Sequence, residues 1–153
     1  MTPDEFIARI GPAAHTCMAD TGISAAFTIA QGALESAWGG SGLCRSANNL
    51  FGVKADLSWT GDILDLPTRE CIRGQWVTVM AHWRKYNDWQ HCIEDHAQFF
   101  TENPRYATAL ESRDDPEEFA RLIQIAGYAT DPDYAHKIAQ VIHAHGLKAW
   151  DDA

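Results

Sequence analysis

Residues 29–54 read IAQGALESAWGGSGLCRSANNLFGVK, and the fold is read outward from them. From about Ser24 to Trp38, small and apolar residues fill nearly every position, which marks a helix buried on all sides within a helical body. Glu35 is the one charged residue in that span. Gly39 and Gly40 then end the helix and open a loop in which Asn48 and Asn49 precede Leu50 and Phe51. A carboxyl group in apolar surroundings loses the hydration that stabilises its charged form, and the negative end of the helix dipole acts in the same direction. Both effects raise its pKa. A carboxyl still protonated near neutral pH is what acid-catalysed cleavage of a glycosidic bond requires. The plain alternative, a glutamate facing solvent on an ordinary amphipathic helix, is weakened by the absence of any other charge on this helix. Trp38, three residues further on, is expected to share the face of Glu35 and to desolvate it.

At the N-terminus, Thr2-Pro3-Asp4-Glu5 is a helix start: Thr2 caps, Pro3 takes the first turn and Glu5 completes a capping box. Phe6, Ile7 and Ile10 supply an apolar face, and Gly11-Pro12 is expected to kink or interrupt the helix. From Trp59 to Tyr86 the pattern changes to alternating β-branched, aromatic and polar residues, with Arg73-Gly74 as a hairpin turn between short strands. Three helices follow. Asp88 caps one through Phe99-Phe100, Asp115-Pro116 opens one ending near Gly127, and Asp131-Pro132 opens one that Gly146 stops. The pattern predicts an α+β chain, mainly helical, with a small antiparallel β-lobe at about residues 57–86 forming one wall of a cleft. No repeat or linker interrupts it, so residues 1–153 are read as one domain.

Composition narrows the chemistry. The net charge of −9, from 21 acidic and 12 basic residues, argues against nucleic acid, whose phosphates need clustered Lys and Arg. Cys17, Cys44, Cys71 and Cys92 are scattered with no C-x-x-C pair, which reads as buried thiols with one or two disulfides left open. His91 and His96 fall on different faces of their helix, and so do His143 and His145; surface or capping positions are expected, and no metal site. The first residues lack the basic start and apolar run of a secretory signal, and no stretch suits a membrane span. Among the six tryptophans, Trp59, Trp76 and Trp83 fall in the β-lobe, where they either floor a sugar-binding groove or pack the lobe's own core.

The string AQGALESAWGGSG followed by NNLFGVKA resembles the glucosaminidase family of bacterial wall hydrolases, glycoside hydrolase family 73, of flagellar rod-cap and autolysin type. The similarity continues through Thr68-Arg69-Glu70 and Trp83-Arg84-Lys85-Tyr86 to AGYATDPDYAHKI, from Ala126 to Ile138. The resemblance implies a lysozyme-like fold and hydrolysis of the β-1,4 bond after N-acetylglucosamine in a peptidoglycan glycan strand, with no cofactor. Glu35 matches the family's general acid, and Glu70 a second carboxylate acting as base or stabiliser; a surface glutamate on an edge strand is the plain reading of Glu70. Tyr128 matches an aromatic hydroxyl that shapes the cleaving subsite, with Tyr134 its competitor for that role. Asn48, Asn49 and Phe51 match the loop lining the cleft. Inverting, retaining and substrate-assisted routes all remain open, because sequence does not set the separation of the carboxyl groups.

Other readings stand beside this one: a muramidase or lytic transglycosylase of the same fold, or a glycan-binding module without activity. In biological role, the acidic charge favours an antibacterial effector injected into rival bacteria, of type VI secretion kind, over a phage endolysin. Such an effector would act in the periplasm after leaving the cytoplasm without a signal peptide. It would also imply an immunity protein that occludes the cleft.

Overall fold

The computed structural model describes all 153 residues. Helix α1 spans Pro3–Thr21 and opens with the expected capping box: Thr2 accepts from the Glu5 amide and the Glu5 carboxylate accepts from the Thr2 amide. It runs through Pro12 without interruption. Pro12 and Ala8, whose carbonyl loses its helical partner there, both lie on the exposed face, where water can replace the lost bond. The opposite face carries Phe6, Ile10, Gly11, Ala14 and Cys17 into the core and holds the helix continuous.

Helix α2 (Ala25–Ser36) is the centre of the molecule, and only Leu34 and Glu35 in it escape burial. It packs against α1, against α6 (Pro116–Ile125) and α7 (Tyr134–His145), and against a C-terminal 3-10 turn, Leu147–Asp151. Helix α4 (Trp89–Glu102) lies on α1, and the short helices α3 (Gly42–Ala47) and α5 (Ala107–Leu110) fill the connections. Twenty-nine buried side chains form one continuous core, with Phe27, Phe100 and Phe119 packed edge to face at its middle. Asp88 and Asp115 cap α4 and α6 as expected. The last helix starts at Tyr134, beyond Asp131-Pro132, because Asp131 bonds the Asp133 amide in a turn before the helix begins.

The β-region is a single ribbon. Strands β1 (Asp62–Ile72) and β2 (Gln75–Lys85) pair antiparallel in register from Asp62↔Lys85 to Ile72↔Gln75. Arg73 and Gly74 both take positive φ, 52° and 78°, which suits a two-residue turn matched to the right-handed twist of the strands. The strands are longer than the short ones expected, and the ribbon has no core of its own: Ala81 is its one buried residue. The register puts Leu64, Leu66, Thr68 and Glu70 on one face with Val77, Val79, Ala81 and Trp83, all half-buried or better. Ile63, Trp76 and Met80 are exposed on the other. The ribbon is tied to the body at its base, where Ala55 donates to the His82 carbonyl and Arg84 to that of Val53. All four cysteines are free thiols, three buried and Cys71 exposed on β1.

Candidate active site

Glu35 leaves the core at the last turn of α2 and points into a cleft of about 640 Å³. The helix ends one residue later. Ser36 is fully buried, its hydroxyl donating to the Gly32 carbonyl at 2.6 Å and accepting from the Gly39 amide at 2.8 Å. Ala37, Trp38 and Gly39 then run left-handed, at φ 50°, 57° and 80°. Two non-glycine residues in that region are strained, a condition kept where the surroundings determine it. The reversal sends Trp38 away from the cleft, onto Phe6 at 5.6 Å and His145 at 4.8 Å between ring centres. Trp38 therefore does not share the face of Glu35. The cleft walls facing Glu35 are instead Leu34, Phe51, Val53 and Phe99, with Tyr128 and Tyr134.

Glu35 is exposed by surface area, yet desolvation by the surrounding protein raises its pKa above the usual 4.5. The two facts agree once the shape is considered: the carboxyl opens on a concave site whose walls displace much of its hydration. Burial is the cause of the shift. Burial raises the pKa of both Tyr128 and Tyr134, and the nearby Glu35 charge raises them further.

Behind Glu35 lies a group that sequence reasoning missed. His96, expected at the surface, is buried, stacked on Phe51 at 4.2 Å and 14° between planes. Burial pushes its pKa from 6.5 down to about 3, so the imidazole is neutral. Its Nε2 lies 3.1 Å from the Tyr128 hydroxyl. Gln31 donates to that hydroxyl at 2.6 Å and to the Tyr134 hydroxyl at 3.0 Å. Gln31 stands one turn before Glu35 on a helix of mostly small and apolar residues, and a large polar side chain there was its only signal in the sequence. Asp131 and Lys137 also line the cleft as an ion pair, which holds the aspartate below the usual carboxylate range.

Glu35, Phe51, Tyr128 and Tyr134 thus meet in one cleft, and the other expected residues stand apart from its lining. Asn49 is buried with its amide donating to the carbonyls of Val53 and Arg84, both at 2.9 Å, and accepting from the Val53 amide. Asn48 takes the left-handed cap of α3 and donates to the carbonyls of Tyr86 and Asn87. Both asparagines fasten the loop that carries Phe51 and Val53. Glu70 lies on β1 in an ion pair with Lys54 at 2.8 Å, and Trp83 lies on β2 with the Lys54 ammonium over its ring at 5.8 Å. Trp59 packs on Tyr86, and Trp76 is exposed beside the hairpin turn. No three metal-ligating side chains converge anywhere in the molecule.

Fold and cleft together are those of the lysozyme-like glycoside hydrolases, in which a helical body offers a carboxylic acid to a sugar chain. The family model for glucosaminidase, described as mannosyl-glycoprotein endo-beta-N-acetylglucosaminidase, matches residues 11–147, and this chain belongs to that family. It is 41% identical over 143 residues to the peptidoglycan hydrolase FlgJ of Vibrio parahaemolyticus, a match spanning 92% of this chain and 46% of that protein. The C-terminally truncated glycoside hydrolase domain of Salmonella typhimurium FlgJ superposes with a TM-score of 0.81 at 36% identity, covering 97% of this chain and 99% of that domain. A remoter likeness, of fold alone, is to the structure of a type VI secretion system effector–immunity complex from Pseudomonas protegens: TM-score 0.67, 20% identity, 96% of this chain and 94% of that one. The chain spans less than half the length of the curated FlgJ relatives it matches. None of its helices is long and apolar enough to cross a membrane.

Proposed function

We propose that this protein hydrolyses the β-1,4 bond after N-acetylglucosamine in peptidoglycan, with Glu35 as the general acid. The observation that carries this is a carboxyl of raised pKa in an aromatic-walled cleft, on a fold of the glucosaminidase family. Protonated Glu35 gives its proton to the glycosidic oxygen as the bond to the anomeric carbon breaks. Glu70 is held by Lys54 on the ribbon and Asp131 by Lys137, which favours a route in which the substrate's own acetamido oxygen attacks the anomeric carbon. Water then opens the cyclic intermediate and returns a proton to Glu35. This route retains the anomeric configuration; an inverted product would put Glu70 or Asp131 in the role of base.

The test is a digest of purified peptidoglycan by the wild type and by Glu35→Gln, with reduced fragments identified by mass spectrometry. Fragments ending in reducing N-acetylglucosamine, absent with the variant, are expected. Reducing or anhydro-muramic ends would reassign the bond to a muramidase or a lytic transglycosylase. No product from either protein would leave a glycan-binding module.

The biological reading is an antibacterial effector, held in check in its producer by an inhibitor protein that occludes the cleft. The net charge of −9 supports it, and a chain of the Pseudomonas protegens effector–immunity complex uses this fold. Export of the chain to the periplasm of a susceptible bacterium should lyse it, and a cognate protein encoded beside it should prevent lysis. A neighbouring holin gene in place of that cognate protein would make the chain a phage endolysin.

A further inference from the structure

Gln31 from α2, His96 from α4, Tyr134 from α7 and Tyr128 from the turn before α7 meet behind Glu35 in one hydrogen-bonded group. Neither Gln31 nor His96 has a part in the proton transfers just described. The Gln31 amide has two N–H donors, and one goes to each phenol oxygen. Its own Oε1 is buried without a partner, so the amide accepts nothing there. Turned over, Oε1 would draw both phenol protons inward and leave two buried N–H groups unpaired, which is the costlier arrangement. The donating orientation leaves both phenol protons free to point elsewhere.

His96 sets the direction for Tyr128. Its ring lies near-parallel to Phe51, at 4.2 Å and 14°, and to Phe99, at 5.8 Å and 7°. A neutral imidazole carries one N–H. If that proton is on Nε2, the Tyr128 oxygen accepts from His96 as well as from Gln31. Both of its lone pairs are then occupied, and its proton must lie away from both donors. The direction left is the cleft, which Tyr128 lines together with Glu35.

We propose that Gln31 and His96 are positioning residues that fill the acceptor side of the Tyr128 hydroxyl and so aim its proton at an oxygen of the bound sugar, with His96 protonated on Nε2. This rests on the reading of Glu35 and Tyr128 as groups that meet the substrate. It makes Tyr128 a fixed donor whose direction is set before the substrate arrives, which is the condition under which a hydrogen bond favours a transition state without reorganisation.

The test combines kinetics on a soluble glycan fragment with ¹⁵N NMR of the histidine rings. In the wild type, His96 should be protonated on Nε2. His96→Phe, which keeps the ring stack, and Gln31→Met should each lower kcat about tenfold or more, with KM little changed. His96→Gln, whose amide can donate from a similar place, should recover most of that loss. Adding His96→Phe to Tyr128→Phe should cost nothing further, because the positioned group is already gone. An Nδ1–H tautomer, a wild-type kcat in His96→Phe, equal losses in the Phe and Gln variants, or additive losses in the double variant would each overturn the proposal. Tyr128→Phe separates the two levels. Full activity there removes Tyr128 from the reaction and this inference with it, whereas its loss beside an active His96→Phe removes only the positioning role. Should a variant fail to fold, the tautomer in the wild-type protein decides.

Discussion

Glu35 stands at an open mouth and is still shifted toward its protonated form, because the cleft walls displace water that would otherwise solvate the carboxylate. Two results follow from that sign. Activity should fall as pH rises through the raised value, so the alkaline limb of kcat/KM belongs above 4.5. A carboxyl whose folded pKa is raised favours the fold while protonated and disfavours it once ionised. Glu35→Gln should therefore melt higher than the wild type at about pH 7, with the gap closing toward about pH 4. A gap independent of pH would remove desolvation as the cause. His96 carries the opposite linkage. The unfolded chain takes up its proton near 6.5 and the folded protein only near 3, so this contribution to stability is lost as pH falls between those values. By pH 4 the loss amounts to about 3 kcal/mol. In urea denaturation, His96→Phe should flatten the decline between pH 7 and pH 4 by about that much. An unchanged slope would mean that the folded protein already holds the proton.

At the scale of the element, the end of α2 shows how the chain delivers a carboxyl to a cleft. The buried Ser36 hydroxyl ties the last helical turn to the reversal that follows, and its two bonds fix where Ala37 and Trp38 turn left-handed. Ser36→Ala leaves the Gly39 amide without its acceptor and should cost about 1–2 kcal/mol in urea denaturation, with a loss of kcat as Glu35 gains freedom. A silent Ser36→Ala would mean that the left-handed residues hold themselves. Element starts were legible in advance because caps are local chemistry: Thr2, Ser24, Asp88 and Asp115 all accept from the amide three residues on. Pro12 was read as a break on equally local grounds, and packing of the opposite face overrode it.

At the scale of the molecule, the two ends of the chain close around α2. Asp151, in the C-terminal turn, accepts from the Ser24 hydroxyl at 2.7 Å and from the Ala26 amide at 2.9 Å, at the N-terminus of α2. The Trp150 ring lies against Gly11 on α1, where an added Cβ would come within 2.4 Å of it. Asp151→Ala removes a charged cap from the central helix and should cost about 1–2 kcal/mol. Gly11→Ala should dislodge the turn that carries that cap, so the two losses together should fall short of their sum. Strict additivity in thermal melts would mean that the cap and the ring act independently.

The sequence alone determined the order of the longer helices, the caps Thr2, Asp88 and Asp115, the Arg73-Gly74 hairpin turn, the family, and the isolation of Glu35 on an apolar helix. Those features rest on neighbours a few residues apart, or on a motif read as a string. Only the tertiary structure decided that Trp38 turns away from Glu35, and that Asn49 is occupied by backbone. It also decided that His96 is buried against Phe51 and that Gln31 reaches two tyrosines some hundred positions away. A periodic pattern says that a face is apolar, but which polar groups meet behind it depends on how α2, α4 and α7 are laid together, and no single segment encodes that.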